Sequence, residues 1–549
     1  MVSGKWKDGN GPWVIADRGR LDEPADYEKA ISATGYGIFN ILLLLAVLPA
    51  GWSAVFDTTS PAFILPAVEC LFELTLFRKG VFVSIVYVGI IVAGVLWDFL
   101  LQDSMTNHFG KRNLLLLGLL LDSVCNVGSA FVDSYYVFLL LKFISGLIVG
   151  GPHTLLIPYL TEFHSTKYQA QFTKWAGLAF AFSYIIPAAL AFNVLPYDSP
   201  FSFRIFNQVF VTWQVYLLIC SIPSVLGLII LCFTPESPKV MMADGRLQEA
   251  LTSFKRIYSM NKLRSRNSYP VKELQLKQGQ GIQKREYNSG SKEKIQDGWS
   301  KIKTLFTTPY LLPMSIIIFL QFGSMFGLNT MRLWVPQLFI MLNNFGRKFR
   351  SVYPSNKTLT MCEMLVPSKL QIPNFSQNYS IHADTCIPSH IEAAVYINST
   401  IIASSTVGFA FLVGFIITTQ TRKDSLLLLM FIISITCSFG VNWAQVVPYM
   451  LVLSATIVVT MRIAGNIIIA VNAEVIPASL RSTAVSIVNL FGNFAVVVGN
   501  FAFSSILNAE CVAAFMCMGC LLFVCAILVF FLPRPLPTGS PSNREVGKY

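Results

Sequence analysis

The sequence predicts an all-α polytopic membrane protein, with twelve transmembrane helices in two pseudo-symmetric six-helix bundles. Three observations lead to this prediction. First, 54% of the 549 residues are hydrophobic and only 13% are charged, with a mean hydropathy of +0.58. Second, the apolar residues form windows of about twenty, the length of a helix that crosses the hydrocarbon core of a bilayer. Third, an acidic motif recurs at the ends of two equivalent helices, as expected of repeated halves.

The apolar windows predict twelve spans, divided six and six by one long polar segment. The predicted spans are 36–56, 81–101, 113–132, 136–159, 172–192, 209–232, 309–329, 394–418, 425–443, 448–471, 483–505 and 511–532. The corresponding domains are an N-terminal segment at 1–35, a first bundle at 36–233, a linker at 234–307, a second bundle at 308–533 and a tail at 534–549. The linker begins with an amphipathic stretch at 247–258, which predicts a helix followed by flexible chain.

Lys and Arg are distributed unequally between the two predicted sides of the membrane. Of the 41, 30 fall on the side of the termini, 8 on the opposite side and 3 inside spans, when Lys174 at the start of span five is counted on the side of the termini and Arg332 at the end of span seven is counted inside it. Under the positive-inside rule the termini are cytoplasmic. The net charge of +12 therefore reflects topology, and we expect no nucleic-acid partner because no basic stretch carries interleaved aromatic residues. The prediction is a multi-pass protein of the plasma membrane or an intracellular vesicle, with the lipid bilayer as its surroundings.

The acidic motif follows spans four and ten. Glu162 is followed seven residues later by Gln169, and Glu474 is followed at the same spacing by Arg481. Both copies lie at the predicted cytoplasmic ends of equivalent helices, which supports a duplicated architecture.

A long segment at 340–393 is predicted to lie outside the cell or in a vesicle lumen. It contains glycosylation sequons at Asn356, Asn374 and Asn378, and a fourth, at Asn398, lies close to the next span. Sequons are modified only on that face of the membrane. Their clustering agrees with the orientation derived from charge.

The same segment carries two of the eleven cysteines, Cys362 and Cys386. We expect a luminal disulfide between them, with Cys70 in the first outer loop as a competing partner. Most of the other cysteines lie within predicted spans, where Cys packs as a small apolar residue.

No motif in the sequence indicates an enzyme. It has no phosphate-binding Gly-rich loop, no metal-ligand cluster and no nucleophile elbow. We therefore expect no cofactor, and the energy for any transport has to come from a gradient of ion or solute.

Ionisable residues within spans are costly and indicate functional sites. Asp122 in span three and Lys142 in span four are predicted at comparable depths, where they form either a structural ion pair or part of a coupling or substrate pathway. Asp57 ends predicted span one, as a solvated helix end or a contact at the outer mouth, of which we favour the first.

Two arginines complete this set of candidate pathway residues. Arg332 marks the outer end of predicted span seven, where a long side chain either snorkels to the interface or faces the solute pathway. Arg462 lies about fourteen residues into span ten, near the midplane, where it needs an interior partner or an anionic ligand. It is the strongest single candidate for a cavity residue.

Several segments carry a family resemblance. Span six is followed by Pro-Glu-Ser-Pro-Lys at 235–239, Asp-Gly-Arg at 244–246 and Glu-Ala-Leu at 249–251, and Lys142 precedes Gly146 and Gly150 in span four. Leu-Pro-Ala-Val-Glu-Cys at 65–70 and Arg-Leu-Trp at 332–334 are further matches. Together these segments resemble the major facilitator superfamily, and within it the synaptic vesicle glycoprotein 2 family, over about 30–533. The resemblance implies alternating access at a midplane site lined by spans one, four, seven and ten.

The resemblance also implies a gate on the cytoplasmic side. Its candidate residues are Glu162, Lys167, Glu474, Arg481, Lys111 and Arg112. Two departures from the family pattern, a lengthened loop before Lys111 and Gln169 in place of an Arg, predict a weakened gate in the first half.

The leading interpretation is a secondary transporter of a small organic solute, with or without a coupled ion. The surplus of Arg and Lys over Asp inside the spans favours an anionic or zwitterionic solute. The alternative is a non-transporting membrane glycoprotein of vesicles or the cell surface, acting as an organiser or receptor, and the departures in the gate support it. No pore-lining signature favours a channel.

Overall fold

The computed structural model describes residues 24–97, 105–106, 109–196, 203–205, 208–275, 291–349, 360–365, 393–416, 420–477 and 479–532. Within these ranges twelve long helices follow the twelve predicted spans, and we number them spans 1–12. They are Ile38–Ile64, Leu76–Leu96, Lys111–Ser129, Tyr135–Gly150, Thr166–Ala181, Thr212–Phe233, Leu311–Phe349, Ala393–Ile416, Gln420–Gly440, Val447–Val475, Arg481–Ala509 and Cys511–Val529. All but span 3, which polar residues such as Asn113 and Asp122 dilute, are long and apolar enough to cross a bilayer.

Spans 4 and 5 are each interrupted by a short 3₁₀ segment. Span 4 passes through Pro152–Leu155 and continues as Leu156–Thr161, and span 5 passes through Phe182–Tyr184 and continues as Ile185–Val194. Pro152 has no amide hydrogen to donate, so it breaks the helical hydrogen-bond ladder. The breaks redirect side chains in the middle of both spans.

Glycines allow spans 2 and 4 to approach each other closely. A Cβ atom built on Gly146 would lie 2.1 Å from the carbonyl oxygen of Val86, and one built on Gly89 would lie 2.3 Å from that of Phe143. One turn further along, a Cβ on Gly150 would lie 2.7 Å from a carbonyl oxygen of span 2. Backbone therefore packs on backbone over two turns, as small residues permit between membrane helices.

The linker and the N-terminal segment form a small unit on one face of the bundle, which we term the linker face. Helices Pro238–Ala243 and Leu247–Lys262 pack against helix Tyr27–Thr34, with Phe254 fully buried between them. This unit is bonded to the first half, because the Tyr27 hydroxyl donates to the Glu162 carbonyl oxygen at 2.6 Å. A further helix, Ser291–Leu305, precedes span 7 and contacts span 11.

The opposite face carries the connections between spans 5 and 6 and between spans 7 and 8. Strands Phe203–Ile205 and Gln208–Phe210 form an antiparallel pair in the first connection. Helix Met361–Leu365 lies in the second, and its first amide donates to the Ala444 carbonyl oxygen at 2.8 Å.

The predicted disulfide between Cys362 and Cys386 is wrong. Cys362 is bonded to Cys511, with 5.4 Å between their Cα atoms, because helix 361–365 packs on the start of span 12. Cys70 is also disulfide-bonded. Cys386 and three of the sequons, Asn356, Asn374 and Asn378, lie outside the described residues.

The fourth sequon, at Asn398, falls within the first two turns of span 8.

Candidate functional site

Two arginines from different spans of the second half meet one tyrosine of the first half. The guanidinium carbon of Arg462 lies 4.5 Å from the centroid of the Tyr184 ring, and that of Arg332 lies 5.1 Å from it. Tyr184 is held there by the 3₁₀ turn that interrupts span 5. We term these three residues the arginine pair and its tyrosine.

Arg332 also bonds across the two halves. Its Nη2 donates to the Tyr87 hydroxyl at 2.7 Å and to the Asn329 Oδ1 at 2.8 Å, whereas its Nε and Nη1 are buried without a hydrogen-bond acceptor. The interpretation that Arg332 snorkels at the end of span 7 is wrong, because the helix continues to Phe349 and places the residue inside the bundle.

Arg332 and Arg462 line one cavity of about 40 Å³ between the two halves. Spans 1, 5, 7, 8 and 10 contribute its walls, with Thr59, Ser399 and Thr406 as the polar members beside the arginine pair and its tyrosine. The other lining residues are apolar. Span 4, which the family resemblance places in the lining, contributes to a different cluster.

That second cluster contains the remaining candidate pathway residues, and we term it the carboxyl cluster. Asp57 and Asp122 are each 2% exposed, and their carboxyl groups lie within hydrogen-bonding reach of each other. The Ser145 hydroxyl donates to Asp122 Oδ1 at 2.9 Å. Lys142, 1% exposed, donates to Asn126 Oδ1 at 2.8 Å.

Two interpretations of these residues are corrected by this geometry. Asp122 and Lys142 form no direct ion pair, because the ammonium group is directed to Asn126, one turn away from Asp122. Asp57 is not a solvated helix end, because span 1 continues to Ile64 and buries it against span 3.

A larger cavity of about 560 Å³ lies between the halves toward the linker face. Its walls come from spans 2 and 4 of the first half and spans 7 and 11 of the second, and include Thr154, Gln321 and Asn489. Toward the opposite face the halves touch directly: the Tyr396 hydroxyl donates to the Phe63 carbonyl oxygen at 3.1 Å, for example. In this conformation the space between the halves is therefore wider on the linker face.

The predicted gate residues lie on the linker face, where they are distributed over several contacts. Lys111 pairs with Glu162 at 2.5 Å, and Lys423 pairs with Glu474 at the equivalent place in the second half. Both pairs join residues 51 apart in sequence. The duplicated spacing is a signal that could have revealed Lys423, which the sequence analysis missed.

The other gate candidates make separate contacts. The Arg112 Nη2 donates to the Cys232 carbonyl oxygen at 2.7 Å, and the Lys167 ammonium lies 5.5 Å from the centroid of the Tyr168 ring. Arg481 is exposed at the start of span 11. Gln169, in place of the family's Arg, donates to the His164 carbonyl oxygen at 3.1 Å.

Two six-helix bundles that meet around a cavity lined by both halves are the architecture of the major facilitator fold. The chain belongs to the sugar (and other) transporter family, whose model matches residues 57–343. This membership confirms the resemblance found in the sequence.

Curated relatives agree with this assignment. Synaptic vesicle glycoprotein 2A of Rattus norvegicus is 28% identical over 268 residues, which cover 47% of this chain and 35% of that protein. Synaptic vesicle glycoprotein 2B of the same organism is 28% identical over 236 residues, covering 43% of this chain and 34% of that protein. The chain thus spans about a third of the length of the curated relatives it matches.

Solved structures share the fold over nearly the whole chain. The xylose transporter XylE from E. coli, in its inward-open conformation, matches with a TM-score of 0.59 and 15% identity, covering 91% of this chain and 97% of that chain. A bacterial homolog of the human lysosomal transporter Spinster matches with a TM-score of 0.54 and 12% identity, covering 92% and 100%. These likenesses confirm the twelve-helix fold.

Like Lys423, Tyr184 is not among the candidate residues predicted from the sequence. It follows Ser183 and precedes Pro187 in an otherwise apolar window. A polar aromatic residue three positions before a helix-breaking proline was the available signal.

Proposed function

We propose that the protein carries a small organic solute across the membrane by alternating access, with the solute site at the arginine pair and its tyrosine. The observation that carries this proposal is the asymmetry of the space between the halves: a cavity of about 560 Å³ toward the linker face and direct contacts toward the other. Rocking of the two halves would exchange these two arrangements, which is how duplicated transporters work.

The contacts of the arginine pair join the two halves and therefore change when the halves rock. Arg332 and Arg462 belong to the second half, whereas Tyr87 and Tyr184 belong to the first. Any movement of one half relative to the other has to break or re-form these contacts. A solute bound between them would therefore change the relative free energies of the two arrangements.

We also propose that the carboxyl cluster couples an ion to this movement. The Oδ2 atoms of Asp57 and Asp122 are buried and accept no hydrogen bond, so one proton held between the two carboxyl groups would satisfy both. A D-xylose-proton symporter of this fold matches with a TM-score of 0.55 and 16% identity, covering 91% of this chain and 98% of that chain. The fold is thus compatible with proton coupling.

On the linker face, the ion pairs Lys111–Glu162 and Lys423–Glu474 are proposed as gate contacts. Each pair joins the start of one span to the end of another within the same half, so each stabilises the arrangement of the helices in that half. The Lys and Arg counts support the proposal that this face lies in the cytoplasm, with the connection after span 7 and its sequons on the other side of the membrane.

The test is uptake or release of a broad metabolite panel by cells that express the wild type or Arg462→Ala, with abundance matched at the membrane. We expect wild-type flux of at least one solute and its loss in the variant. The matched control is Arg78→Ala, because the Arg78 guanidinium lies 5.8 Å from the Tyr135 ring centroid, at the outer end of span 2 and away from the cavity. Background flux for every solute, with correct localisation of the wild type, would refute the proposal and favour the non-transporting alternative.

A further inference from the structure

The arginine pair brings two cationic side chains into the centre of the bundle without a carboxylate. Neither Arg332 nor Arg462 forms an ion pair with Asp or Glu among the described residues, whereas Lys79, Lys111 and Lys423 each have one. Both side chains are half-buried, and a charge that is partly removed from water and left without a counter-charge is costly. Two such charges on one aromatic ring repel each other as well.

The uncharged side chains around the two arginines accept only some of the hydrogen bonds that the guanidinium groups can donate. Tyr184 offers its ring to both guanidinium groups, and Tyr87 and Asn329 accept from a single nitrogen of Arg332. The Nε and Nη1 of Arg332 are buried donors without an acceptor. Buried donors without acceptors are rare in folded proteins and often mark a site that a ligand completes.

The cavity surface identifies the kind of ligand that would complete the site. Outside the arginine pair and its tyrosine, the walls are apolar except for three hydroxyl-bearing side chains, and Phe63, Leu328 and Val458 are among the apolar ones. An anionic group would accept from the guanidinium groups, whose fork geometry suits a carboxylate. An apolar body attached to it would contact the remaining walls.

We propose that Arg332 and Arg462 together bind the carboxylate of a small organic acid, with its apolar body against the hydrophobic walls of the cavity. The inference rests on the proposed function and names the substrate class of that site. The bound carboxylate supplies the counter-charge that both arginines lack and the acceptor that Arg332 Nε and Nη1 lack. A sugar or another neutral solute of similar size leaves the two charges uncompensated.

The experiment measures ligand-induced thermal stabilisation of the purified full-length protein in detergent. The probes are sodium benzoate and sodium hexanoate, with benzamide and hexanamide as neutral counterparts and sodium chloride at equal ionic strength. We expect saturable stabilisation by the two acids only. In Arg332→Gln and Arg462→Gln the apparent Kd for benzoate should rise at least tenfold, and in Arg78→Gln it should stay unchanged. Arg462→Lys, which keeps the charge, should retain weaker binding if Arg462→Gln does not survive purification.

Equal effects of the acids and their amides, or of benzoate and chloride, would overturn the inference, as would unchanged benzoate binding in both glutamine variants. Uptake assays on the same proteins separate this inference from the proposed function. Flux of a neutral solute that benzoate does not inhibit would leave transport standing and refute the carboxylate site. Arginine-dependent stabilisation by benzoate without flux of any solute would support the site and refute transport.

Discussion

The close approach of spans 2 and 4 predicts that Gly146→Ala destabilises the first half. The new Cβ would lie 2.1 Å from the Val86 carbonyl oxygen, so the two backbones must separate by about 0.9 Å to reach even 3.0 Å. Overpacking of this kind costs about 1–3 kcal/mol. Replacing a helical glycine by alanine by itself stabilises the folded state by about 0.5–1 kcal/mol, because alanine gives the unfolded chain less conformational freedom than glycine does.

The net effect expected of Gly146→Ala, from the middle of these two ranges, is therefore a loss of about 1 kcal/mol in the free energy of unfolding, or roughly a fivefold to tenfold change in the folded-to-unfolded ratio. The measurement is the midpoint of heat-induced loss of the monodisperse peak in size-exclusion chromatography. Gly177→Ala is the matched control, because a Cβ on Gly177 of span 5 meets no atom within 4 Å, and it should be neutral or stabilising. If Gly146→Ala matched the wild type while Gly177→Ala behaved as expected, the packing argument would be refuted.

Three further predictions concern the linker face and the opposite face. Burial lowers the pKa of His164 to about 4. The stability that depends on its neutral form is therefore fully present above the unfolded pKa of about 6.5 and is lost as pH falls toward 4. The free energy of unfolding should fall by about 2 kcal/mol between pH 7.5 and 5, and the melting temperature of His164→Gln should depend less on pH. Cys511→Ser should free one maleimide-reactive thiol at Cys362 and cost about 2–4 kcal/mol of stability. Lys423→Glu should slow uptake of the solute that the wild type carries, because it replaces the ion pair with Glu474 by two like charges. Adding Glu474→Lys re-forms a pair of opposite charges and should restore at least half of the lost uptake rate.

Each of these has a control in the same chain. His164 lies in the turn between spans 4 and 5 and stacks on Phe172 with 3.9 Å between ring centroids, so Phe172→Leu should weaken the burial that lowers the His164 pKa and should flatten the pH dependence in the same direction as His164→Gln. A Cys362→Ser variant should match Cys511→Ser, and the double variant should be no worse than either. A charge-swapped double variant that is slower than Lys423→Glu would mean that the two side chains do not act as a pair.

The spans could be predicted from sequence because hydropathy reports directly which segments lipid can surround. Span 7 illustrates the limit of this signal. The apolar window ended near Arg332, whereas the helix continues to Phe349. Hydropathy therefore misplaced Arg332 at a membrane surface, although its side chain faces the cavity.

Side-chain partners depend on the direction in which each residue points around its helix, and depth alone does not give this direction. Asp122 and Lys142 have comparable depth, yet Lys142 bonds Asn126 while Asp122 meets Asp57. The sequence places Cys362 and Cys386 in one loop, and this shared loop predicts a disulfide between them. The partner of Cys362, Cys511, is 149 residues away and is brought near by packing of span 12.

The way the linker divides between the two halves has a consequence for how the chain can be assembled. Residues 238–275 pack with helix Tyr27–Thr34 on the first half, and Asn261 donates to Asn40 Oδ1 in span 1 at 2.9 Å. Helix Ser291–Leu305 instead contacts span 11 of the second half. A cut between 275 and 291 therefore leaves the described contacts of each half within one fragment. Two separately expressed polypeptides divided there should reassociate in the membrane through the interface of spans 2 and 11, so the link between the halves need not be covalent.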